Sequence, residues 1–545
     1  MLDLLIKGAR VVDGSGNKSQ QADVGVRNGE IVAVGRVGDA AQQTLDAGGL
    51  ALMPGIVDVH THYDAQVTWD PTLSPSVALG VTTAVMGNCG FGIAPCPPPL
   101  RETLLRNLSV VEGMDVDALL AGTRWEFETF PQYLDMLERQ RPWANLAVLA
   151  QHSTIRNAVM GEEASTRKVP SEKQLNEMKR VVAEAMDAGA AGLASSFSPN
   201  HSGWGGKPMP STIAEDAELL ALTQVLGEKQ RGIFVMATGP RATPEFMEGI
   251  AAETGRPVFI VTVLTMYSRA QPERAPQMYE KCAQAIARGH EVYIHANCQP
   301  LSFDFTLREP YLLYSHDAFD AARAAQDKAG VYRSREFRER LRYNFAHPKQ
   351  GILFYGDWSQ VERDGVPVTE LAKRDGKDPL DYVFDLPLDT QLVAKLYQND
   401  DAGVAPLLKH PAGVLALSDA GAHLIYFCDA GFGLHFLAHW VRETGTFTLE
   451  EGVRRLTADP ARKYRIPGRG RIAPGCKADL VLFDPQAVGL TNLHRVSDLP
   501  GGGTRMIREP RGVHGVWVNG RRVHDGKRYA ELECGPGEIL RRFER

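Results

Sequence analysis

The sequence predicts an α/β protein, in which a (β/α)8 TIM-like barrel is joined to a small β-sandwich domain formed from both chain ends. Three observations predict this fold. Short strand-like segments rich in Val and Ile occupy both termini. Between them, apolar strands alternate with helical stretches, the pattern of a parallel α/β sheet. Eight such apolar strands are present, the number that closes a parallel barrel.

The two chain ends share one pattern. Asn28-Gly29 separates two strand-like segments near the N-terminus, and Asn519-Gly520 separates two more near the C-terminus. Asn-Gly is a strong hairpin signal because both residues tolerate positive φ. We therefore expect residues 1–53 and 466–545 to pair into one composite β-sandwich domain, with residues 54–465 forming the barrel.

Eight segments supply the predicted barrel strands. They are GIVDVHTH (55–62), VTTAVMGNCG (81–90), NLAVLAQH (145–152), AGLASSF (191–197), GIFVMATG (232–239), PVFIVTV (257–263), EVYIHANC (291–298) and GVLALSDAG (413–421). The segment SEKQLNEMKRVVAEAMDAGA (171–190) has the apolar period of an amphipathic helix and precedes the fourth strand. Residues 305–412 are polar and too long for one crossover, so we expect a surface insertion there, and a lid over the barrel mouth is the alternative.

Composition excludes several classes of protein. The 545 residues carry a formal net charge of −6, which gives no basic excess for binding nucleic acid or an anionic membrane. Seven cysteines without a CxxC pair favour a reducing compartment over a disulfide framework. No apolar run reaches the ~18 residues that span a bilayer. The N-terminal residues lack the basic-then-apolar pattern of a signal peptide. The sequence therefore predicts a cytoplasmic protein.

Residues that bind metals follow three of the predicted strands. His60 and His62 end the first strand, and their spacing of two turns both side chains to one face. Cys89 ends the second strand and Asp419 ends the eighth. The carboxyl ends of barrel strands carry the active site, so these side chains are expected at one mouth. Imidazole, thiolate and carboxylate bind divalent ions such as zinc, which lower the pKa of bound water to about 7. A neighbouring aspartate then moves the proton.

Each of these residues also has a structural interpretation. An H-x-H pair packs or hydrogen-bonds in many strands, a buried cysteine is usually a small hydrophobe, and Asp419 is placed to cap a helix. His152, His201 and His295 follow or end other strands and fit structural roles better than metal ligation. Convergence of so many groups at one mouth is what favours a metal site.

The order of motifs resembles the amidohydrolase superfamily over nearly the whole chain. The matching segments are PGIVDVHTH (54–62), SDAGAH (418–423) and LTADPARKYRIPGRGRIAPGCKADLVLFDP (456–485). Two further segments, VTTAVMGNCGFGIAP (81–95) and AQHSTIR (150–156), resemble the N-acyl-D-amino-acid deacylase (D-aminoacylase) branch.

This resemblance implies a hydrolase of carbon–nitrogen bonds other than peptide bonds. It makes His60 and His62 metal ligands, Cys89 a ligand able to bridge two metal positions, and Asp419 a ligand or general base. The implied substrate is a small amide, an N-acyl amino acid, and the resemblance to the D-aminoacylase branch points to the D series. Metal-bound hydroxide attacks its amide carbonyl, and the protonated aspartate gives its proton to the leaving amine.

The implied substrate also carries a free carboxylate, which needs a cation or a hydroxyl at the barrel mouth. Arg241 follows the fifth strand, and Tyr267, Ser268 and Arg269 follow the sixth, so these four are candidate substrate-binding residues. Each of them also fits the structural interpretation of a solvated loop residue.

The sequence departs from the family at three strands. Histidines are expected at the ends of the fifth and sixth, where Ala237 or Thr238 and Thr262 stand, and the fourth has no lysine. We therefore expect a single zinc-like ion per chain on His60, His62 and Asp419, with Cys89 or a replacement histidine as the remaining ligand. His201 and His152 are possible additional ligands because both follow strands that face the same mouth.

Other functions remain open at this point. A cyclic amide or a carbamate is a possible substrate, since a fold alone does not set the substrate. Hydrolytic deamination ranks lower because it uses the fifth-strand histidine. A degenerate barrel that binds a ligand without hydrolysis is the alternative from another class. The sequence leaves open whether the chain forms a homo-oligomer.

Overall fold

Eight parallel strands form the central sheet of the computed structural model, which describes residues 1–199, 201–261, 263–308, 310–348, 354–424 and 428–544. They pair in chain order, each parallel to the next. A parallel bridge between Thr61 and Ala420 joins the chain just beyond the first and last strands. The backbone N–H of His62 donates to the Ala420 carbonyl at 2.7 Å. The eight strands are Ile56–Asp58, Val81–Met86, Asn145–Gln151, Gly192–Ser196, Ile233–Ala237, Val258–Val261, Val292–Ala296 and Gly413–Leu415.

Burial explains why these segments are strands. Every residue in the eight strands is buried. Parallel strands covered on both faces have continuous apolar sequences rather than an alternating pattern. All eight predicted strands are therefore confirmed, and the structure has the predicted α/β barrel class.

Helices connect the strands along the chain. The helix predicted before the fourth strand spans Glu172–Ala188, with a capping box between Ser171 and Gln174 and Gly189 at its end with φ 108°. The other helices between barrel strands are Arg101–Val111, Val116–Gly122, Phe130–Gln140, His152–Met160, Asp216–Lys229, Pro244–Thr254, Arg274–Ala287 and Asp401–Lys409. After the eighth strand come Phe432–His435, Phe436–Glu443, Leu449–Leu456 and Ala458–Lys463.

Strands from both chain ends share a second eight-stranded sheet, as predicted. Ala51–Pro54 pairs with Leu480–Phe483 and thereby joins the two ends. Both Asn-Gly turns have positive φ at both residues, which confirms the predicted hairpins. The core of this sheet contains apolar side chains from both ends, including Leu4, Leu52 and Trp517. The remaining strands are Leu2–Val11, Gln20–Arg27, Glu30–Gly35, Ala41–Asp46, Val513–Val518 and Arg521–His524. The domain boundaries at residues 53 and 466 stay predictions.

The chain divides into two compact units. Residues 1–265, 276–298 and 405–545 form the first, and residues 266–275 and 299–404 form the second. The second unit contains a four-stranded sheet of Leu301–Phe305, Val361–Arg363, Val366–Pro367 and Leu392–Tyr397. Its helices include Phe319–Ala324, Lys328–Arg333, Arg335–Ala346, Val368–Arg374 and Pro379–Asp385. The lid role of residues 305–412 stays a prediction.

None of the helices in the described part of the chain has both the length and the apolar character needed to cross a membrane. The cytoplasmic location and the question of a homo-oligomer stay sequence-based predictions.

Candidate metal centre

The structure brings together the residues predicted from the first, second and eighth strands. His60, His62 and Cys89 are buried, and their ligand atoms all lie within 4.8 Å of one another. The Nε2 atoms of His60 and His62 are 3.2 Å apart, and Cys89 Sγ is 3.8 Å from His60 Nε2. Asp419 Oδ1 lies 3.0 Å from His60 Nε2 and 3.5 Å from His62 Nε2.

The separations measured from the two histidines are close to those between the ligands of a tetrahedral zinc ion. Zinc–nitrogen and zinc–oxygen bonds of about 2.0–2.1 Å place ligand atoms about 3.3 Å apart, and a zinc–sulfur bond of about 2.3 Å gives about 3.6 Å between nitrogen and sulfur. The observed distances are 3.2 Å between the two nitrogens, 3.0 and 3.5 Å between nitrogen and oxygen, and 3.8 Å between nitrogen and sulfur. The donor types, two imidazoles, a thiol and a carboxylate, also match zinc. The residues present therefore fit a divalent metal.

A tight turn places Cys89 beside His60. The second strand ends at Met86, and the turn Asn88–Gly90 follows. Cys89 has φ 55°, in the left-handed region. Gly90, with φ 77°, packs on the fourth strand so closely that a Cβ there would lie 2.6 Å from the Ser195 Cα. Only glycine fits at that position. The sequence around Cys89 is therefore determined by the backbone geometry of the turn as well as by the chemistry of the thiol.

A second turn places Asp419, whose φ is 47°. The Ser418 hydroxyl donates to the His60 carbonyl at 3.0 Å and accepts from the Ala420 N–H at 3.1 Å. At Gly421, which has φ 93°, a Cβ would lie 2.7 Å from the His62 carbonyl oxygen. These contacts lock the aspartate-bearing turn onto the strand that carries both histidines.

Electrostatics at the cluster favour a cation. Burial raises the pKa of Asp419, but hydrogen bonds from both histidines outweigh it and hold that pKa well below its ordinary value. Burial lowers the pKa of His62, yet Glu112, Asp419 and Cys89 together raise it well above its ordinary value. Burial lowers the pKa of His60 despite Asp419. Burial also raises the pKa of the Cys89 thiol to about 11, although His62 lowers it.

Both cluster histidines have a partner on the ring nitrogen that faces away from the cluster. Glu112, which follows the helix Arg101–Val111, places Oε1 3.2 Å from His62 Nδ1. His295, on the seventh strand, places Nδ1 3.1 Å from His60 Nδ1, and its Nε2 is 2.6 Å from the Tyr464 hydroxyl. Sequence reasoning named His295 as structural and missed Glu112 and Tyr464.

Glu112 belongs to no motif. Burial raises the pKa of its carboxyl to about 8, although His62 lowers it. Glu112 lies 50 residues beyond His62 in the chain, so the sequence does not show that the two side chains are close in space.

The two possible additional ligands have different surroundings. His201 hydrogen-bonds Ser196 Oγ through Nδ1 at 2.7 Å, and its ring packs edge-on against Phe91, 5.1 Å between centroids. Phe91 in turn stacks on His62 at 6.4 Å, so His201 lies on the metal side of the barrel. Burial lowers the pKa of His201 to about 3.

His152 has both ring nitrogens engaged elsewhere. Its Nδ1 is 2.8 Å from Ser195 Oγ and its Nε2 is 2.7 Å from Glu218 Oε1. Glu218 also accepts from Arg156 at 2.9 Å, and all four side chains are buried. This network has the character of a structural core, and metal ligation by His152 stays an untested prediction.

The four candidate substrate-binding residues lie in two different units. Arg241, in the first unit, stacks over Phe197 at 3.8 Å and donates to the Ala214 carbonyl at 2.9 Å. The other three belong to the second unit. There the Tyr267 N–H donates to Gln398 at 2.7 Å, Ser268 is buried, and Arg269 Nε lies 3.6 Å from Asp400. A substrate-binding role for all four stays a prediction.

The fifth strand ends at Ala237, and the next residue is the buried Thr238. No hydrogen-bond partner for Thr238 Oγ1 is found in the described part of the chain. Thr262, at the end of the sixth strand, lies outside the described residues.

Comparisons with known proteins show the family. The sequence profile of the amidohydrolase family matches residues 43–524. An N-acyl-D-glutamate deacylase of Alcaligenes xylosoxydans xylosoxydans is 29% identical, over 99% of this chain and 97% of its own. A D-aminoacylase of the same organism is 28% identical, over 98% and 96%.

Solved structures share the fold. N-acyl-D-glutamate deacylase from Bordetella bronchiseptica, complexed with zinc and a phosphonate inhibitor, superposes with a TM-score of 0.66 at 24% identity, covering 99% of this chain and 100% of its own. A D-aminoacylase structure gives a TM-score of 0.66 at 24% identity with the same coverage.

Proposed function

The chain belongs to the amidohydrolase family, and from this premise we propose that it is a metal-dependent deacylase that releases the amine from an N-acyl-D-amino acid. The observation that carries the proposal is the cluster of His60, His62 and Cys89, whose ligand atoms all lie within 4.8 Å of one another, with Asp419 Oδ1 3.0 and 3.5 Å from the two histidines. The likeness to named D-amino-acid deacylases along the whole chain supports the substrate class.

The proposed cofactor is a single zinc ion on these four residues. When bound, such an ion supplies Lewis acidity, which polarises an amide carbonyl and makes water more acidic. A single ion is proposed because Ala237 and Thr238 stand where a fifth-strand histidine would contribute to a second position. His201, which packs against Phe91 next to His62, is proposed as an alternative ligand.

The proposed chemistry centres on Asp419. Its carboxylate is ionised, 21% exposed, and held against both histidines by the turn 418–421. It accepts a proton from water while the water oxygen attacks the amide carbonyl carbon. The carbon–nitrogen bond then breaks, and the same carboxyl returns the proton to the leaving nitrogen. The products are a carboxylic acid and a free amino acid, so atoms and charge balance.

The intact donor set argues against a barrel that only binds a ligand. His60, His62 and Cys89 are all buried, and buried polar groups without a partner cost free energy. A site that had lost its metal function would be under no requirement to keep three such donors within 4.8 Å of each other.

The proposal is tested by metal content and turnover together. The purified chain is analysed for zinc, stripped with a chelator, and reloaded with zinc, cobalt or manganese. Amine release is then measured for N-acyl-D-glutamate, N-acyl-D-aspartate and a neutral N-acyl-D-amino acid, each against its L isomer. We expect about one ion per chain and release from at least one D isomer that requires the metal.

Two results would refute parts of this proposal. Metal content far below one per chain, with no activity gained on reloading, would refute a metal-dependent hydrolase. Metal-dependent release from L isomers or cyclic amides alone would keep the hydrolase and refute the substrate class.

A further inference from the structure

We propose that Glu112 is a positioning residue that orients His62 and the Asp419 turn for metal binding; this inference rests on the proposed metal-dependent function. Glu112 is 3% exposed and lies between the two ligand-bearing segments. Its contacts are with His62 Nδ1 and with His423, so its effect on the metal ligands acts through these neighbours.

The first contact fixes the protonation pattern of the His62 ring. In the structure, Nε2 of His62 faces His60 and Asp419, and Nδ1 faces Glu112 Oε1 at 3.2 Å. A neutral imidazole that ligates through Nε2 must carry its hydrogen on Nδ1. A carboxyl so placed favours the hydrogen on Nδ1 and thereby increases the basicity of the ligating nitrogen.

The 3.2 Å contact with Glu112 is an ion pair, and His62 Nδ1 has no partner with hydrogen-bond geometry among the residues that the structure describes. Removing the carboxyl would leave this buried nitrogen without its ion-pair partner, or allow the ring to adopt the tautomer that cannot ligate through Nε2. Either outcome weakens the ligand that the first strand supplies.

The second contact holds the turn that carries Asp419. The backbone N–H of His423 donates to the Glu112 carbonyl at 2.5 Å, and Glu112 Oε2 lies 3.6 Å from His423 Nε2. His423 has φ 52° and Asp419 has φ 47°, so two non-glycine residues of one turn adopt the left-handed region. Such conformations persist only where surrounding contacts hold them. The carbonyl contact persists whatever side chain stands at position 112, so the Glu112 side chain acts on this turn through its contact with His423.

His60 offers a comparison within the same site. Its outward Nδ1 faces the Nδ1 of His295, an imidazole whose pKa is lowered well below its ordinary value, mainly by burial. The two cluster histidines therefore differ in their outer partners, a carboxylate for His62 and an imidazole for His60. The Glu112 carboxyl also lies 3.6 Å from His423, beyond the Asp419 turn, so Glu112 is the partner whose removal is expected to matter more.

The test measures zinc binding rather than turnover. The chain with Glu112→Ala, the chain with Glu112→Gln and the unchanged chain are stripped of metal and titrated with zinc in competition with a chelator. Cobalt loading, followed by visible absorption, reports the coordination geometry. The melting temperature of each metal-free chain shows whether it is folded. Glu102→Gln is the matched control, because Glu102 lies on the preceding helix with its side chain 65% exposed.

We expect Glu112→Ala to weaken zinc binding by about 10–100-fold and to alter the cobalt spectrum, as loss of an outer-shell carboxylate does in other metal sites. Glu112→Gln keeps an oxygen acceptor but loses the charge, so its binding should be weakened by a smaller factor. Glu102→Gln should bind as the unchanged chain does. The melting temperature of metal-free Glu112→Gln should stay close to that of the unchanged chain.

The outcomes separate this inference from the proposed function. If the unchanged chain binds no metal, the proposed function fails, and the inference fails with it. If the unchanged chain binds zinc and both Glu112 variants bind it equally well with the same cobalt spectrum, the positioning role alone is refuted. If Glu112→Ala does not fold, Glu112→Gln decides the question by the same two readouts.

Discussion

Replacing Asp419 with asparagine removes a charge and a proton acceptor while leaving the shape of the turn intact. Asparagine tolerates the left-handed region about as well as aspartate does, so φ 47° at this position should not be disturbed. The turn is held mainly by backbone groups and by Ser418, none of which the substitution alters. The variant should therefore fold as the unchanged chain does.

The expected loss of rate follows from the two proton transfers assigned to this carboxyl. Its Oδ1 is 3.0 and 3.5 Å from the two histidine nitrogens, so it lies where water and the leaving nitrogen are expected. A positioned acid–base group contributes about 10²–10⁴-fold, which corresponds to about 3–5 kcal/mol in the activation free energy. We expect kcat/KM of Asp419→Asn to fall by at least about 10³-fold, since one group serves both steps.

The assay is amine release from the best D substrate, with metal content measured on the same samples. Asp364→Asn is a matched control, because Asp364 has φ 53° and a side chain that is 89% exposed. The control should keep full activity and a normal melting temperature. An Asp419→Asn variant that holds its metal and turns over within about threefold of the unchanged chain would show that this carboxyl moves no proton.

Three further predictions concern the metal, the pH dependence of stability and the C-terminal tail. Cys89→Ser replaces a soft thiolate with a hydroxyl, so zinc affinity should fall by at least about tenfold in chelator competition, and equal affinity would remove Cys89 from the ligand set. Burial lowers the pKa of Lys463 from 10.5 to about 7, so the folded chain binds fewer protons than the unfolded chain between these pH values. The free energy of unfolding should therefore rise with pH between about 7 and 10.5, and this group should add no pH dependence below about 7. Lys463→Met should lose up to ~5 kcal/mol of this rise in denaturant titrations, and a pH dependence identical to that of the unchanged chain would contradict the prediction. Deleting residues 536–545 removes the backbone hydrogen bonds that Leu146 makes with Glu538 and Leu540, at 2.9 and 2.7 Å. The melting temperature should therefore fall by roughly 3 °C or more. An unchanged melting temperature would show that these residues add no stability.

The barrel was predictable because its strands are buried on both faces. A fully buried strand must be apolar along its whole length, and eight such runs separated by helical stretches have few alternative arrangements. The hairpins at Asn28-Gly29 and Asn519-Gly520 were predictable for a different reason, since their backbone needs positive φ at two consecutive residues. Both signals are local, so a single sequence is enough to find them.

The candidate site was only partly predictable. His60, His62, Cys89 and Asp419 follow strand ends, and the barrel topology alone brings such positions together. The role of His152 was not visible, because its partner Glu218 lies 66 residues further along the chain. The sequence predicts that a histidine lies at the end of a strand, but it does not show which group will hydrogen-bond to its ring.

The metal ligands and the residues that contact their outward ring nitrogens are subject to different structural requirements. A metal ligand must have a particular side chain at a particular position, here close to a strand end. It is therefore recognisable as part of a sequence motif. An outer partner needs only to present an acceptor to a ring nitrogen, and any element that passes nearby can do so. Glu112 follows a helix, His295 lies on the seventh strand, and Tyr464 follows the last helix before the terminal sheet. Such residues share no spacing, and only a structure identifies them.

The same reasoning explains why the ligand motifs are rich in glycine. Cys89 and Asp419 both adopt positive φ, a conformation that costs a non-glycine residue about 1–3 kcal/mol and is found most often at functional sites. Each is followed, within two residues, by a glycine that also has positive φ and has no room for a Cβ, at Gly90 and Gly421. The ligand atoms can converge only if both turns are this tight. The segments that identify the family therefore contain glycines required by the two tight turns as well as the residues that bind the metal. Substitution of either glycine should disturb the site without changing any ligand.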